Sequence, residues 1–323
     1  TNGVCRYFAV AAALCAPPGE GAPRPVHSSE VLLDVAIESL CQEQKPRGES
    51  KYPTLCTIPA LQLFLDFLTE LAPAEELAKL PVFDNITRML CHLCYQRPWW
   101  QKVAGSVGLQ ILIQRMPVPC LLAVEISVTR ALVAIWRDSA TDEVALTSEK
   151  AYATIAAMLH RCHGDAARPM AVDGAAKEAP KPAAGGAAGK KEADKDKEKK
   201  EEPKDPEEVA FKEVVGFLSQ ELVGGHTTVR GNVQKLLGEL AQLTGRNVAD
   251  LLEPFRSSIS QQVFKRRLTQ FPVPVQIGHL DGLTYCLSLK PAFLANDTQL
   301  IQFLQDAHQV AEMEDQVRPP RPR

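Results

Sequence analysis

The sequence predicts an all-α protein built from helices of about 12 to 18 residues joined by short turns. Three observations carry this prediction. Leu and Ala are abundant and aromatic residues make up only 6% of the chain, a composition that suits packed helices better than sheets. Apolar residues recur at helical spacing, and no stretch alternates as a strand would. Pro and Gly stand between the apolar stripes, where helices begin or end.

Four apolar stripes in the first half predict four helices. The first follows Pro59 and ends at Pro73, the second follows Pro81, and two more are separated by Pro117 and Pro119. The four stripes consist of Leu61, Phe64, Phe67, Leu68 and Leu71; Val82, Ile86, Met89, Leu90 and Leu93; Val103, Val107 and Leu112; and Leu122, Ile126, Leu132 and Val133.

The second half predicts four further helices. Gly224 and Gly225 terminate the first of them, and Thr227 or Thr228 caps the second. Three apolar stripes mark the first, second and last of these helices: Val209, Phe211, Val214, Val215, Leu218 and Leu222; Val229, Val233, Leu236, Leu237 and Leu240; and Leu300, Ile301, Leu304, Ala307 and Ala311.

The ends of these helices follow from their capping residues. Gly245 closes the second helix, and Asn247 caps a third that ends near Ser257 or Ser258. Asn296 or Asp297 stands near the start of the last helix.

Residues 166–208 interrupt the helical pattern. This tract consists mainly of Ala, Gly, Pro, Lys and Glu with almost no large apolar side chain, so it cannot bury enough surface to offset its ordering entropy. We expect a disordered insertion between helices, and a nuclear-localisation or partner-binding role for its lysines stays open. The predicted segments are therefore 1–165 helical, 166–208 disordered, 209–315 helical and 316–323 a Pro/Arg tail.

The helix pairs recur at roughly 35 to 45 residues, which fits HEAT-like units. No strict sequence repeat is visible, so the periodicity favours an α-solenoid but leaves a helical bundle open. The predicted fold is a HEAT-like α-solenoid of antiparallel helix pairs, interrupted by the charged insertion.

Charge and cysteine usage limit the possible classes of function. The formal net charge of −3 gives no global field for nucleic acid or anionic lipid. Nine cysteines, an odd number, indicate a reducing compartment, and this evidence outweighs the two glycosylation sequons at Asn85 and Asn296.

The apolar run 118–136 contains Glu125 and Arg130, so we expect a buried helix rather than a membrane span. The run 5–16 resembles a secretory signal only superficially, and the chain reads as part of a longer or processed protein.

Two groups of Cys and His invite a zinc interpretation. Zinc needs four converging ligands, whereas the first group lies within one amphipathic helix and the second lies some seventy residues away. We therefore expect core packing and no metal. The two groups are Cys91, His92 and Cys94, and His160, Cys162 and His163.

Glycine pairs suggest structural roles. The stretch from Gly224 to Gly231 lacks the Lys-Ser/Thr and the preceding strand of a phosphate loop, so it is interpreted as a helix end followed by a cap. Gly105 and Gly108 indicate close helix-to-helix approach or a kink.

Charged residues supply no catalytic motif. His279 and Asp281 are two apart, and on a helix such neighbours point to different faces. Two basic clusters are interpreted as solvated faces, although contact with phosphate or an acidic partner stays open; they are Lys265, Arg266 and Arg267, and Arg318, Arg321 and Arg323. We assign no catalytic, cofactor-binding or metal-binding residue, and no particular partner-binding residue.

Three stretches resemble the TRRAP family, the pseudokinase members of the phosphatidylinositol 3-kinase-related kinases. The most telling is residues 270–294, in which Gln-Ile-Gly at 276–278 is followed by Thr-Tyr-Cys-Leu at 284–287 and a turn at Pro291; Leu-Leu-Glu-Pro at 251–254 precedes it. The second, residues 91–117, has Ala-Gly-Ser at 104–106 where relatives tend to have Gly-Gly-Cys. The third, residues 5–14, is looser.

The resemblance implies a HEAT-repeat segment of a very large nuclear protein without kinase activity. Such proteins receive transcription activators and recruit histone acetyltransferase complexes such as SAGA to chromatin, so the implied partners are activators and complex subunits. From the residues themselves we expect no cofactor, no small-molecule substrate, no direct sequence-specific nucleic-acid binding and no membrane. Two alternatives stay open, namely the helical region of a catalytically active kinase of the same superfamily and a nuclear transport or trafficking solenoid.

Overall fold

The computed structural model describes residues 26–45, 57–138, 142–164, 205–295 and 297–317, with the side chains of 26–32, 142–146 and 312–317 outside that description. Within these ranges the regular structure is helical and contains no strand. The helices are α1 (Val26–Glu43), α2 (Thr57–Leu71), α3 (Ala74–Leu77), α4 (Pro81–Cys94), α5 (Trp99–Arg115), α6 (Val118–Arg137), α7 (Asp142–His163), α8 (Pro206–Glu221), α9 (Thr227–Thr244), α10 (Val248–Leu252), α11 (Arg256–Phe264), α12 (Val273–Ser288) and α13 (Leu300–Val317), with 3-10 turns at Glu253–Phe255 and Leu268–Gln270.

Successive helices form pairs that stack in two layers. Helix α4 packs on α5, α6 on α7, and α8 on α9. Within one layer α4 contacts α6 and α6 contacts α8, and within the other α5 contacts α7 and α7 contacts α9. Such contact of each helix with its own partner and with the equivalent helix of the next pair is the pattern of a solenoid rather than a closed bundle. The predicted all-α solenoid is confirmed.

Proline stands at the start of three consecutive helices in the first half. Pro81 is the first residue of α4, and Pro98 and Pro117 are the N-caps of α5 and α6 in extended backbone. Proline suits these positions because the first helical N–H groups lack an intrahelical partner. Helix α2 includes Pro59 in its first turn and ends at Leu71, before Pro73.

Several residues of the predicted stripes face solvent. Leu71 and Val209 lie at helix ends and are exposed, whereas Leu65, absent from the predicted stripe, is fully buried between Leu61 and Leu68. In α13 the predicted stripe is wrong in detail, because Phe303 packs on Phe264 and leaves Ile301 and Leu304 exposed. Three of the longer described helices, α1, α7 and α12, were not predicted individually. Their buried side chains include Leu33, Ile37 and Leu40 in α1; Ala151, Ile155, Met158 and Leu159 in α7; and Leu283 and Cys286 in α12.

In the second half, the glycine predicted to end a helix does so, whereas one of the predicted N-caps is wrong. Gly245 ends α9 with φ of 62°, the left-handed conformation that favours glycine. The N-cap of α9 is His226, so the prediction of Thr227 or Thr228 is wrong; the Thr227 hydroxyl instead accepts a hydrogen bond from Arg230. Asn247 holds the predicted N-cap position of α10.

The third helix predicted in this half is broken. Pro254 lies in a 3-10 turn between α10 and α11, and α11 continues to Phe264 rather than ending near residue 257. A proline in a helix interior removes a backbone donor and clashes with the preceding turn, which accounts for the break.

One continuous cluster of buried apolar side chains runs from Leu33 to Phe303 and therefore spans both halves. Helix α8 begins at Pro206, with the Asp205 carboxylate accepting from the Glu207 N–H at 3.1 Å. Residues 206–208 are thus helical, although the sequence placed them in the insertion. Residues 166–204 of the predicted insertion lie outside the described residues. Helix α13 extends to Val317, and residues 318–323 of the predicted tail also lie outside them.

Helix α6 occupies the centre of the packed layers. It contacts α3, α4, α5, α7, α8 and α9. More than half of its most apolar 18-residue stretch is buried inside the structure. By length and composition it is the one described helix that could cross a membrane. Its fully buried Glu125 is paired with His163 inside the protein, as expected of a core helix.

Candidate functional site

The CxxC pair packs in the core of the first half. Cys91 and Cys94 are both buried on α4, and burial raises the pKa of the Cys91 thiol to about 12 and that of Cys94 further. The Cys94 thiol donates to the Leu90 carbonyl at 3.6 Å. His92 between them is exposed, with its Nε2 2.6 Å from the Gln96 side-chain nitrogen. Protonated, buried thiols are poor metal ligands and poor nucleophiles.

The second Cys and His group splits across the surface and the core of α7. His160 is exposed and Cys162 is buried, while the His163 Nε2 lies 2.8 Å from the Glu125 Oε1 on α6. Within the described ranges no group of three or more His, Cys, Asp or Glu side chains could hold a metal ion. The expectation that the chain binds no zinc stays a prediction.

The Glu125–His163 pair connects three helices. Its two side chains are 0% and 2% exposed, and the His163 Nδ1 lies 3.8 Å from a Glu207 carboxylate oxygen in the first turn of α8. The His163 ring also packs edge-on against Phe211 of α8, with 5.0 Å between ring centroids. The pair therefore ties the first half to the second on either side of the insertion. The sequence indicated a buried carboxyl, because Glu125 lies within the longest apolar run, but it did not identify His163 as the partner of that carboxyl.

Gly105 and Gly108 bring α5 directly against α4. A Cβ added at Gly105 would lie 2.9 Å from both the Cys94 sulfur and the Leu90 carbonyl oxygen, and one at Gly108 would collide with the Leu90 side chain. The close helix-to-helix approach predicted for these glycines is confirmed.

A second glycine pair joins α12 to the turn between α8 and α9. A Cβ at Gly278 would collide with the Gly224 carbonyl oxygen and lie 2.9 Å from that of Val223. A Cβ at Gly282 would lie 2.8 Å from the Leu222 carbonyl oxygen. Gly278 is the last residue of the Gln-Ile-Gly stretch at 276–278. The glycine of this stretch therefore allows α12 to approach the α8–α9 turn closely, a role that the sequence analysis did not assign to it.

Arg230 also holds α12 against the turn between α8 and α9. Its side chain is 2% exposed, and its guanidinium donates to the Gly224 carbonyl at 2.7 Å and to the Asp281 carboxylate at 2.5 Å. His279 points the other way, as predicted from its spacing to Asp281. Its ring stacks on Phe271 with 4.6 Å between centroids, and its nitrogens lie 2.8 and 3.1 Å from two backbone carbonyl oxygens.

The predicted basic clusters do not join these contacts. Lys265, Arg266 and Arg267 follow α11 and are exposed, which agrees with a solvated face. The cluster at Arg318, Arg321 and Arg323 lies outside the described residues. The Gly224–Gly225 pair forms a turn between two helices, and the Gly224 carbonyl accepts from Arg230, which is a structural use.

Further polar contacts run between neighbouring helices. Tyr152 of α7 donates to Glu239 of α9 at 2.6 Å, and burial together with that carboxylate raises the pKa of the tyrosine. Buried Lys102 of α5 pairs with Asp138 just after α6. These contacts fix the register of one helix pair on the next, and none forms a nucleophile–base arrangement.

Stacked helix pairs, fastened by glycine contacts and buried polar joints, define this chain as an α-solenoid repeat protein. The family model described as "Tra1 HEAT repeat ring region" matches residues 2–319, and the chain belongs to this family. The predicted TRRAP-family resemblance is thereby confirmed.

Curated relatives agree with the family match. The chain is 26% identical over 293 residues to the human "Transformation/transcription domain-associated protein", covering 88% of this chain and 7% of that protein. It is 25% identical over 248 residues to the Schizosaccharomyces pombe "SAGA complex/NuA4 acetyltransferase complex subunit Tra1", covering 75% and 6%. It is 23% identical over 245 residues to the corresponding Saccharomyces cerevisiae subunit, with the same coverage. The chain thus spans less than a tenth of the length of these relatives.

Proposed function

We propose that this chain is a non-catalytic HEAT-repeat segment of a nuclear transcription coactivator subunit, which receives transcription activators and brings histone acetyltransferase to chromatin. The observation that carries the proposal is the family match across residues 2–319. Two of the relatives are named as subunits of the SAGA and NuA4 acetyltransferase complexes, which gives the class of partner.

The architecture suits a scaffold. A subunit that holds partners in fixed relative positions needs helix pairs whose register does not slip, and buried joints supply that register. The Glu125–His163 pair and the Tyr152–Glu239 bond both connect the first half to the second. Inter-repeat grooves of such a solenoid offer surfaces on which amphipathic helices dock through i, i+3, i+4 anchors.

The alternatives draw less support. An active kinase of the same superfamily and a transport solenoid would share the helical architecture. The relatives carry names of transcription and acetyltransferase-complex subunits, which favours the coactivator.

Affinity purification tests the proposal. The protein is tagged at its genomic locus, purified from nuclear extract, and its partners are identified by mass spectrometry, beside Gly278→Ala and Gly231→Ala variants. We expect acetyltransferase subunits with the wild-type protein and with Gly231→Ala, whose added methyl meets no atom within 4 Å, and fewer with Gly278→Ala. Recovery of the wild-type protein without acetyltransferase subunits would overturn the proposal.

A further inference from the structure

The exposed basic cluster after α11 leads directly into an exposed threonine. Lys265, Arg266 and Arg267 are followed by buried Leu268 and then by exposed Thr269. The cations thus stand four, three and two residues before the hydroxyl. We propose that Thr269 is a phosphorylation site for a basophilic serine/threonine protein kinase.

The chemistry of recognition lies in the two arginines. Arginine at the third and second positions before a hydroxyl suits an acidic substrate cleft, because each guanidinium can take a carboxylate in a bidentate pair. Both arginines are exposed, so an incoming acidic surface can reach them without disturbing the core. The earlier interpretation of this basic cluster as a solvated face is consistent with recognition by a kinase.

Part of the backbone around Thr269 already has the extended conformation that a kinase cleft requires, although Leu268 is buried and must move. Arg267 and Phe271 already have extended conformations, with φ, ψ of −62°, 138° and −100°, 152°. Between them lies a single 3-10 turn, closed by Gln270 N–H to Arg267 carbonyl at 3.0 Å and Phe271 N–H to Leu268 carbonyl at 3.1 Å. Such a turn opens at lower cost than a helix interior. The exposed Thr284, by contrast, lies within α12 and donates to the Leu280 carbonyl at 2.8 Å.

The reaction transfers one phosphoryl group. The Thr269 oxygen attacks the γ-phosphorus of Mg-ATP, a new oxygen–phosphorus bond forms, the bond to the β-phosphate oxygen breaks, and ADP leaves. The hydroxyl proton passes to the catalytic carboxylate of the kinase. The product carries a charge of about −1.5 to −2 beside three cations, so the local charge falls from three positive to about one. Helix α13 packs against this same turn, Leu268–Gln270, so the phosphate lies beside a helix contact.

The test uses the purified chain, Mg-ATP and the catalytic subunit of cyclic-AMP-dependent protein kinase, with phosphate mapped by mass spectrometry. We expect phosphate on Thr269, none at that position in Thr269→Ala, and a rate at least about tenfold lower in the double variant Arg266→Ala/Arg267→Ala, since each arginine removed takes charged hydrogen bonds with it. Arg246→Ala removes an exposed arginine elsewhere and leaves the rate unchanged. Thr298, exposed and preceded by Asp297, provides an internal control that stays unmodified.

Two outcomes overturn the proposal. One is an unmodified Thr269 in the folded chain while a synthetic peptide of residues 263–272 is phosphorylated, because the turn would then shield the hydroxyl. The other is modification of Thr269 at an equal rate in the double-arginine variant. Circular dichroism of each variant, expected to match wild type because the changed side chains are exposed, keeps misfolding from imitating either result.

Discussion

Replacing Gly278 with Ala tests the joint between α12 and the α8–α9 turn. The added Cβ would collide with the Gly224 carbonyl oxygen and lie 2.9 Å from the Val223 carbonyl oxygen. An ordinary carbon–oxygen contact is about 3.3 Å or longer, and both obstacles are backbone atoms that cannot rotate away. Helix α12 or the turn must therefore move, and the hydrogen bond from Arg230 to Gly224 is strained with it.

The expected magnitude combines three effects. Overpacking of a close contact costs about 2 kcal/mol. Loss of a hydrogen bond from a charged donor costs about another 1.5 to 2 kcal/mol. The higher helix propensity of Ala returns about 1 kcal/mol. The free energy of unfolding should therefore fall by about 2.5 to 3 kcal/mol, which is about 60- to 140-fold in the folding equilibrium.

Equilibrium unfolding in urea, followed by circular dichroism, measures this loss. Gly231→Ala and Gly238→Ala on α9 are matched controls, because a Cβ there meets nothing within 4 Å. Those two variants should gain up to about 1 kcal/mol. Gly282→Ala, whose Cβ would lie 2.8 Å from the Leu222 carbonyl oxygen, should lose stability if Gly278→Ala does not fold at all. Equal stability of Gly278→Ala and Gly231→Ala would refute the close contact.

Five further outcomes are expected. His163→Leu should cost about 3 to 5 kcal/mol in urea unfolding, because the buried Glu125 carboxyl loses its partner. Glu125→Leu should cost less, because His163 keeps the Glu207 carboxylate 3.8 Å away, and the double variant should recover part of the larger loss. Burial raises the pKa of Cys91 and Cys286 from 9.0 to about 12, so iodoacetamide at pH 8 should label them roughly a thousandfold more slowly in the folded chain than in urea. The unfolded chain loses these protons first as pH rises, so their contribution to stability is complete below pH 9.0 and should be lost towards pH 12 in unfolding curves; a flat profile would contradict the burial. Limited proteolysis should cut first within residues 166–208, whose composition cannot form a core, and protection of that tract would contradict the expectation. Elemental analysis of chelator-washed protein should find no stoichiometric zinc.

The features predicted well from sequence are local ones. Proline at the start of helices and Gly245 at a helix end follow from backbone geometry, which depends on a few adjacent residues. The close helix approach at Gly105 and Gly108 was also predicted, because a helical glycine pair beside bulky residues indicates a neighbouring helix.

The features that were missed depend on residues distant in the chain. Asp281, the carboxylate that pairs with Arg230, lies 51 residues further along, and Glu125 finds His163 after 38 residues. Periodicity identifies an apolar face but not which part of it the next helix covers. Ile301 and Leu304 are consequently exposed, although their spacing predicts burial.

The proposed function places this solenoid in a scaffold that carries histone acetyltransferase. The most direct measurement is acetylation of histone peptides by material purified from nuclear extract through the tagged protein, compared with an untagged strain. We expect acetyltransferase activity to be enriched with the tag and reduced in the Gly278→Ala variant per unit of tagged protein. Abundant tagged protein without acetyltransferase activity above the untagged background would contradict it.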